Sequence, residues 1–253
     1  MTTDQTTDQT TDLTHRTAVV TGASGGIGEA TARRLAAAGA RVAVLGRRAA
    51  ELDRVAAEIG GLAVVADVTA GPEHLADAAA RVRAGLGRPD LVVANAGVML
   101  GAPFATAQHR ELSAMVATNV TGLIDTAHAF VDDLLAADGP ADLVLIGSVA
   151  STNFWPGYAT YSATKAAVAA LGRGLRVELG PRGVRVRTLE PGMTASDLGS
   201  GMLDAEARER LAGFREAVPA IPASDVAEAV AWAAALPARV NVAELVVLPT
   251  VQG

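Results

Sequence analysis

Cysteine is absent from the 253 residues, which excludes disulfides, a thiolate nucleophile and any cysteine-ligated metal. Histidine is scarce, and His15, His74, His109 and His128 lie far apart, without metal-ligand spacing, so they read as surface or packing residues. No stretch has the length and uniform apolarity of a membrane span, and the N-terminus lacks the apolar run of a signal peptide. No membrane partner and a cytoplasmic location are therefore expected. A formal net charge of -6 supplies no electrostatic reason to expect nucleic acid. A small molecule is the expected partner.

What is present is an apolar half of the chain and abundant glycine, enough to bury a sizeable core in one α/β domain. Residues 1–12 repeat Thr-Thr-Asp-Gln and read as a flexible polar tail, leaving 13–253 for the domain. Within it, short β-branched runs alternate with longer alanine-rich amphipathic stretches, the pattern of strands linked by crossover helices. Strands are expected at Thr17–Thr21, Arg41–Leu45, Ala63–Ala66, Leu91–Ala94, Asp142–Gly147, Val184–Leu189 and Leu245–Leu248. Each is nearly continuous in apolar character, as befits a parallel sheet covered on both faces. The fold class is thus a doubly wound, Rossmann-type α/β domain. The stretch from Thr194 to Phe214 mixes glycines with helix formers and reads as a mobile element over the strand ends.

The first strand runs into Thr21-Gly22-Ala23-Ser24-Gly25-Gly26-Ile27-Gly28 and then a helix starting near Ile27. Glycines there allow a tight turn and close backbone approach, and the helix N-terminus favours a pyrophosphate. An ordinary glycine turn is the alternative, weakened by the strand-to-helix context. At the end of the second strand, where an NAD-selective site presents a carboxylate to the ribose, the chain has Leu45-Gly46-Arg47-Arg48. Gly46 opens space, and Arg47 or Arg48 can fork onto the extra phosphate of NADP. NADP(H) is the expected cofactor, with a solvated arginine pair as the bland reading. Asp67-Val68 and Asn95-Ala96-Gly97 close the third and fourth strands at the same edge. Asp67 could accept from the adenine amino group, and Asn95 could tie neighbouring strands as well as touch the cofactor.

Twenty of the 21 basic side chains are arginine, and the one lysine is Lys165. An arginine serves for charge on a solvated face, so a lone lysine suggests a task for a compact ammonium. Both tyrosines, Tyr158 and Tyr161, lie just before it, and Tyr161 is one helical turn away on the same face. A phenol of pKa about 10 is a poor acid near neutrality. A nearby ammonium, the oxidised nicotinamide's charge and partial desolvation are expected to lower it. Ser148, leaving the fifth strand, could hydrogen-bond a substrate oxygen or merely cap local backbone.

From about Leu13 onward the chain resembles the short-chain dehydrogenase/reductase family. The glycine loop, Asn95-Ala96-Gly97, Asn119, Ser148, Tyr161, Lys165 and Pro191-Gly192 stand in the family's order. The resemblance implies a seven-stranded sheet and four catalytic residues. In it Tyr161 is the acid/base, Lys165 lowers the tyrosine's pKa and binds the nicotinamide ribose, Ser148 steadies the substrate, and Asn119 holds a relay water. A helix-packing role for Asn119 stays open. After Pro191-Gly192, Thr194 and Ser196 would meet the nicotinamide amide and pyrophosphate. The Gly-Arg-Arg sequence and the ending Val242–Thr250 resemble the NADP-dependent 3-hydroxy acid (serine-type) and clavulanate dehydrogenases. The family also implies a homo-oligomer, a tetramer or dimer. It pairs the Tyr161 helix across a two-fold axis, where this chain offers Ala163, Ala166, Ala167, Ala170 and Gly174.

The implied activity is interconversion of a carbonyl and an alcohol with NADP(H). A non-catalytic NADP sensor would be marked by a broken Tyr-Lys pair, and a sugar-nucleotide epimerase or dehydratase by a longer C-terminal domain. Substrate contacts are sought in Met99, Leu100, Asn153, Phe154, Trp155, Tyr158, Met193, Leu198, Met202 and Leu203, for which ordinary packing is the alternative.

Overall fold

The computed structural model describes residues 11–252; all but the last two residues of the expected tail lie outside them. Seven strands alternate with eight α-helices among the described residues. They are β1 (Thr17–Thr21), α1 (Gly26–Ala37), β2 (Arg41–Gly46), α2 (Ala49–Ile59), β3 (Leu62–Val65), α3 (Pro72–Leu86), β4 (Leu91–Ala94) and α4 (His109–Val116). There follow α5 (Gly122–Leu135), β5 (Ala141–Ile146), α6 (Ala159–Leu179), β6 (Val184–Pro191), α7 (Ala205–Ala217), α8 (Ala223–Ala235) and β7 (Glu244–Val247).

The strands form one sheet in the order β3-β2-β1-β4-β5-β6-β7, parallel throughout. Side chains alternate between faces, so one chemistry serves two cores. Val20, Val44, Val93, Val144 and Ile146 meet α1, α2 and α8 on one face. Val19, Ala43, Val92, Leu143 and Leu145 meet α3, α5 and α6 on the other, around the buried Phe130. The strands lie within two residues of expectation. β6 runs two residues further, to Pro191, because β7 pairs Val246 and Val247 with Glu190 and Pro191.

The edge of the sheet where the strands begin holds a charged knot that the hydrophobic pattern does not foreshadow. Asp142, fully buried in β5, accepts from Arg16 (2.8 Å), from Arg185 (2.7 and 2.8 Å) and from Arg187. Arg185 also donates to the main-chain oxygens of Ala234 and Leu236, tying the end of α8 to the sheet. Asp90 adds a second carboxylate on Arg16 (2.7 Å) and main-chain carbonyls take up further protons, while Arg187 Nε is left buried without a partner among the described residues. With that edge closed, the opposite one, where the strands end and the order reverses between β1 and β4, is left for ligands.

Candidate active site

The loop from β1 to α1 forms one wall of an open cavity of about 740 Å³ at the C-terminal ends of the strands. Gly22 and Gly26 have φ of 66° and 56°, a region in which side chains are disfavoured. A Cβ on Gly22 would sit 2.9 Å from the Ala96 backbone and the Asn95 amide. Asn95 Nδ2 donates to the main-chain oxygens of Thr21 (2.9 Å) and Gly22 (3.4 Å), so the asparagine ties β4 to the loop. Gly28 is not on the cavity wall. A Cβ there would come within 2.4 Å of the Gly22 oxygen, so its role is to let α1 approach the strand.

Arg48 lies across the loop, Nε donating to Ser24 Oγ (3.1 Å) and Nη2 to the Ser24 main-chain oxygen (2.8 Å). Arg47 points instead toward Asp67, 4.0 Å away, and both arginines are exposed. Burial raises the Asp67 carboxyl, but donation from Thr69 N–H and Oγ–H, with Arg47 nearby, leaves it below the usual range. Its Oδ1 is thereby occupied and Oδ2 is the oxygen left for another donor. Val68 lines the cavity and packs on Gly122, where a Cβ would come within 2.7 Å of it.

Tyr161 and Lys165 lie on the buried face of α6 and reach the cavity floor. Lys165 Nζ donates to the Ile146 main-chain oxygen (2.9 Å) and sits 5.8 Å from the centre of the Tyr161 ring. Burial pushes Lys165 down to about 8, with Glu190 opposing the drop. Burial pushes Tyr161 up to about 12, against a hydrogen bond from Ser148 that lowers it. The expected depression is therefore absent from the protein alone, and partial desolvation works in the opposite direction: losing water disfavours a phenolate. Ser148 Oγ also accepts from Ala150 N–H (3.1 Å), so the capping role and the contact with Tyr161 coexist.

Asn119 lies behind the wall, in a π-helical turn at Ala117–Thr121. Its Oδ1 accepts from Val98 N–H (2.8 Å), and Nδ2 donates to the Val98 oxygen (2.9 Å) and Thr164 Oγ (3.1 Å). The amide fastens the segment after β4 to α6. Gly97 lies between them, where an added Cβ would make ordinary contacts, 3.4 Å from Asn119 Oδ1 and 3.8 Å from Lys165 Nζ. Such π-turns recur at functional sites.

At the end of β6 and just beyond it, Pro191, Gly192, Thr194 and Ser196 line the cavity. Thr194 Oγ donates to the Gly192 oxygen (3.1 Å), and Ser196 stands beside Gly26. Of the apolar candidates, Met99, Leu100, Trp155, Tyr158, Met193 and Leu198 line the cavity. Asn153, Phe154, Met202 and Leu203 do not; Phe154 is turned to solvent and Met202 packs against Ala207 and Leu211. Sequence reasoning missed Gln252, whose Oε1 accepts from Met193 N–H (2.7 Å), and the arginines of α7, Arg210 and Arg215. No pattern signals Gln252, but Arg210 sits in the very segment expected to overlie the site and Arg215 one residue past it. No group of acidic or histidine side chains suited to a metal occurs among the described residues, and no described helix is long and apolar enough to cross a membrane.

Known proteins are similar to this chain. The sulfoacetaldehyde reductase of Chromohalobacter salexigens is 34% identical over 239 residues, 92% of this chain and 93% of that protein. Glycine betaine reductase ATRR of Emericella nidulans is 36% identical over 94% of this chain, which spans only 19% of that protein. Among solved structures, the closed form of serine dehydrogenase complexed with NADP+ superposes with a TM-score of 0.87 at 29% identity, over 94% of this chain and 96% of that one. The family model described as short chain dehydrogenase matches residues 16–207, from the start of the sheet past the Tyr161 helix, and the chain belongs to that family.

Proposed function

We propose that the protein interconverts an aldehyde or ketone and an alcohol with NADP(H), using Tyr161 as the general acid/base. The observation that carries this reading is a single cavity bearing the glycine loop with Arg48 at one end and Ser148, Tyr161 and Lys165 at the other. The residues fit the cofactor. Gly22, Gly25 and Gly26 leave a cradle that side chains would fill, Gly46 adds none of the carboxylate that would repel a ribose phosphate, and Arg48 is already fixed beside it. Asp67, Val68, Asn95, Ala96, Gly97, Pro191, Gly192, Thr194 and Ser196 would complete the binding wall.

When bound, NADPH supplies a hydride to the carbonyl carbon and becomes NADP+. Tyr161 gives its phenolic proton to the carbonyl oxygen, and Ser148 holds that oxygen and the tyrosine hydroxyl together. A phenol raised to about 12 is protonated at neutral pH but is a weaker acid than at 10, so donation needs the Lys165 ammonium and the charge of the oxidised cofactor to stabilise the phenolate. Lys165, with one proton spent on Ile146, keeps two for the ribose and for the charge left on Tyr161. Asn119, its amide committed to Val98 and Thr164, retains an Oδ1 lone pair for a relay water. The Tyr-Lys pair is intact, which favours an enzyme over a cofactor sensor. The test is a panel of aldehydes and ketones followed by NADPH absorbance; no turnover of any member by protein that binds NADPH would overturn the reading.

The segment from Thr194 to Phe214, with α7 as its second half, serves in this reading as the cover over the substrate. We further assign a homo-oligomer, tetramer or dimer, in the cytoplasm. Supporting the assembly, Ala163, Ala170, Gly174 and Val177 leave an exposed small and apolar face on α6. A monomer by light scattering at micromolar concentration would refute it.

A further inference from the structure

Where the cavity passes between α7 and the loop preceding α6, two polar atoms are buried without a partner among the described residues: the Tyr158 hydroxyl and Arg210 Nε. Neither belongs to the reacting pair, and a buried unsatisfied donor is costly, so its persistence on a cavity wall marks a place for a ligand atom. Arg210 Nη1 is taken by Glu206, one turn back on α7 and largely exposed (2.5 Å). Its Nη2 reaches toward Gly157, where an added Cβ would lie 3.4 Å away. Arg210 thus spans from α7 to the loop carrying Trp155 and Tyr158.

The surroundings fix both groups. Tyr158 packs with Met115, Tyr161 and Ala150 on one side and with Met202, Ala207 and Leu211 on the other. Arg215, one turn beyond Leu211, spends Nη2 on the oxygens of Ser196 (3.1 Å) and Leu198 (2.7 Å). Trp155 and Phe214 close the mouth, ring centres 6.2 Å apart. Desolvation raises Tyr158, opposed by the positive charges of Arg210 and Arg215, which places the hydroxyl in their field. Of the carboxylates lining the cavity, Asp67 stands beside Arg47 at the cofactor end and Asp197 is exposed, while Glu206, off the cavity wall, is committed to Arg210. A fork of guanidinium donors beside a phenolic O–H is the recognition chemistry of an oxyanion.

We propose that Arg210 and Tyr158 form the anion end of the substrate site, so that the preferred substrate is a small aldehyde or ketone carrying a carboxylate or sulfonate. The inference rests on the carbonyl-reducing reading above. Tyr158, the residue that caps the start of α6, packs against the apolar cluster that holds Tyr161, which keeps the anion end close to the reacting carbonyl. Binding energy from this remote group would hold the carbonyl against Tyr161 and Ser148.

The test compares kcat/KM with NADPH across three matched pairs: succinic semialdehyde against butanal, acetoacetate against 2-pentanone, and 2-oxoethanesulfonate against propanal. At least one acid should be preferred over its neutral partner, and Arg210→Met should lower that ratio about ten- to hundredfold, the loss expected for a charged hydrogen bond. Tyr158→Phe, which keeps the packed ring, should lower the same ratio several-fold and guards against a misfolded Arg210 variant. Neutral carbonyls reduced without preference for any acid, or a ratio unmoved in both variants, would overturn the anion site and leave the reaction class standing. Failure to reduce any of the six by protein that binds NADPH would instead sink the reaction class, and this inference with it.

Discussion

Replacing Gly46 by aspartate should turn the cofactor preference around. The end of β2 has room for it. An added Cβ meets nothing closer than 3.5 Å, from Leu52 and Ser24 Oγ, and Gly46 is not among the glycines with positive φ. The new carboxylate would lie near Ser24 Oγ and the Arg48 guanidinium that holds it. Engaging Arg48 removes a charge-assisted hydrogen bond to the ribose phosphate, about 1.5–3 kcal/mol. Two anions about 5 Å apart in a partly solvated site add about 1–3 kcal/mol of repulsion. NADPH affinity should therefore fall about a hundredfold or more. NADH, whose ribose hydroxyls would donate to the carboxylate, should gain about 1 kcal/mol. The ratio of NADPH to NADH dissociation constants, from fluorescence titration, should shift by about three orders of magnitude. Arg48→Ala should weaken NADPH more than Arg47→Ala, because only Arg48 is anchored to the loop. A ratio within threefold of the unmodified protein in a folded Gly46→Asp variant would refute this account of selectivity.

Tyr161→Phe removes only the phenolic hydroxyl and should cost about a hundred- to ten-thousandfold in turnover, with a far smaller change in NADPH affinity; near-normal turnover would dismiss Tyr161 as proton donor. Ultraviolet titration without cofactor should show no tyrosine ionising at the ordinary value of 10, with Tyr161 resisting to about 12, and an early tyrosinate signal from folded protein would contradict its burial. Lys165, lowered from 10.5 to about 8 by burial, imposes a folding cost that is full below pH 8 and relieved as pH rises to 10.5, since the folded state releases the proton first. Lys165→Met should then raise the stability of the cofactor-free protein at pH 7 by about 2–3 kcal/mol, with the gain gone by pH 10.5; urea unfolding at both values checks the sign. Asp142→Asn leaves three buried guanidiniums around a neutral amide and should cost about 3–5 kcal/mol, while an unchanged urea midpoint would mean that Asp90 and the main-chain carbonyls suffice for the arginines.

Some of this was readable along the chain because the signals are local. Short, nearly continuous apolar runs and the amphipathic stretches between them set the seven strands, since both faces of the sheet are covered. The glycines from Gly22 to Gly28 announce a tight turn, and Gly46-Arg47-Arg48 announces a missing carboxylate, because both are contiguous in sequence. Tyr161 and Lys165 are a helical turn apart, and the fold adds only their depth. That depth reverses a prediction: phenol and ammonium both lose water at the cavity floor, so Tyr161 rises although an ammonium lies nearby.

Other features depend on residues brought together from far along the chain. Asp142 meets Arg16 across 126 residues of sequence, and no local pattern pairs them. Arg47 and Arg48 are equivalent as letters; only the path of the loop gives Arg48 to Ser24 and Arg47 to Asp67. Asn119 reads as a relay residue or a packing residue until Val98 and Thr164 are seen to use its amide. Arg210 and Tyr158 are an ordinary helix arginine and a rival tyrosine until the fold closes α7 over α6 and buries a donor of each beside the same cavity. Sequence determines what forms locally, because propensity and periodicity act over a few residues. Which charges and donors lose water together is decided by tertiary structure, because desolvation depends on every neighbour at once.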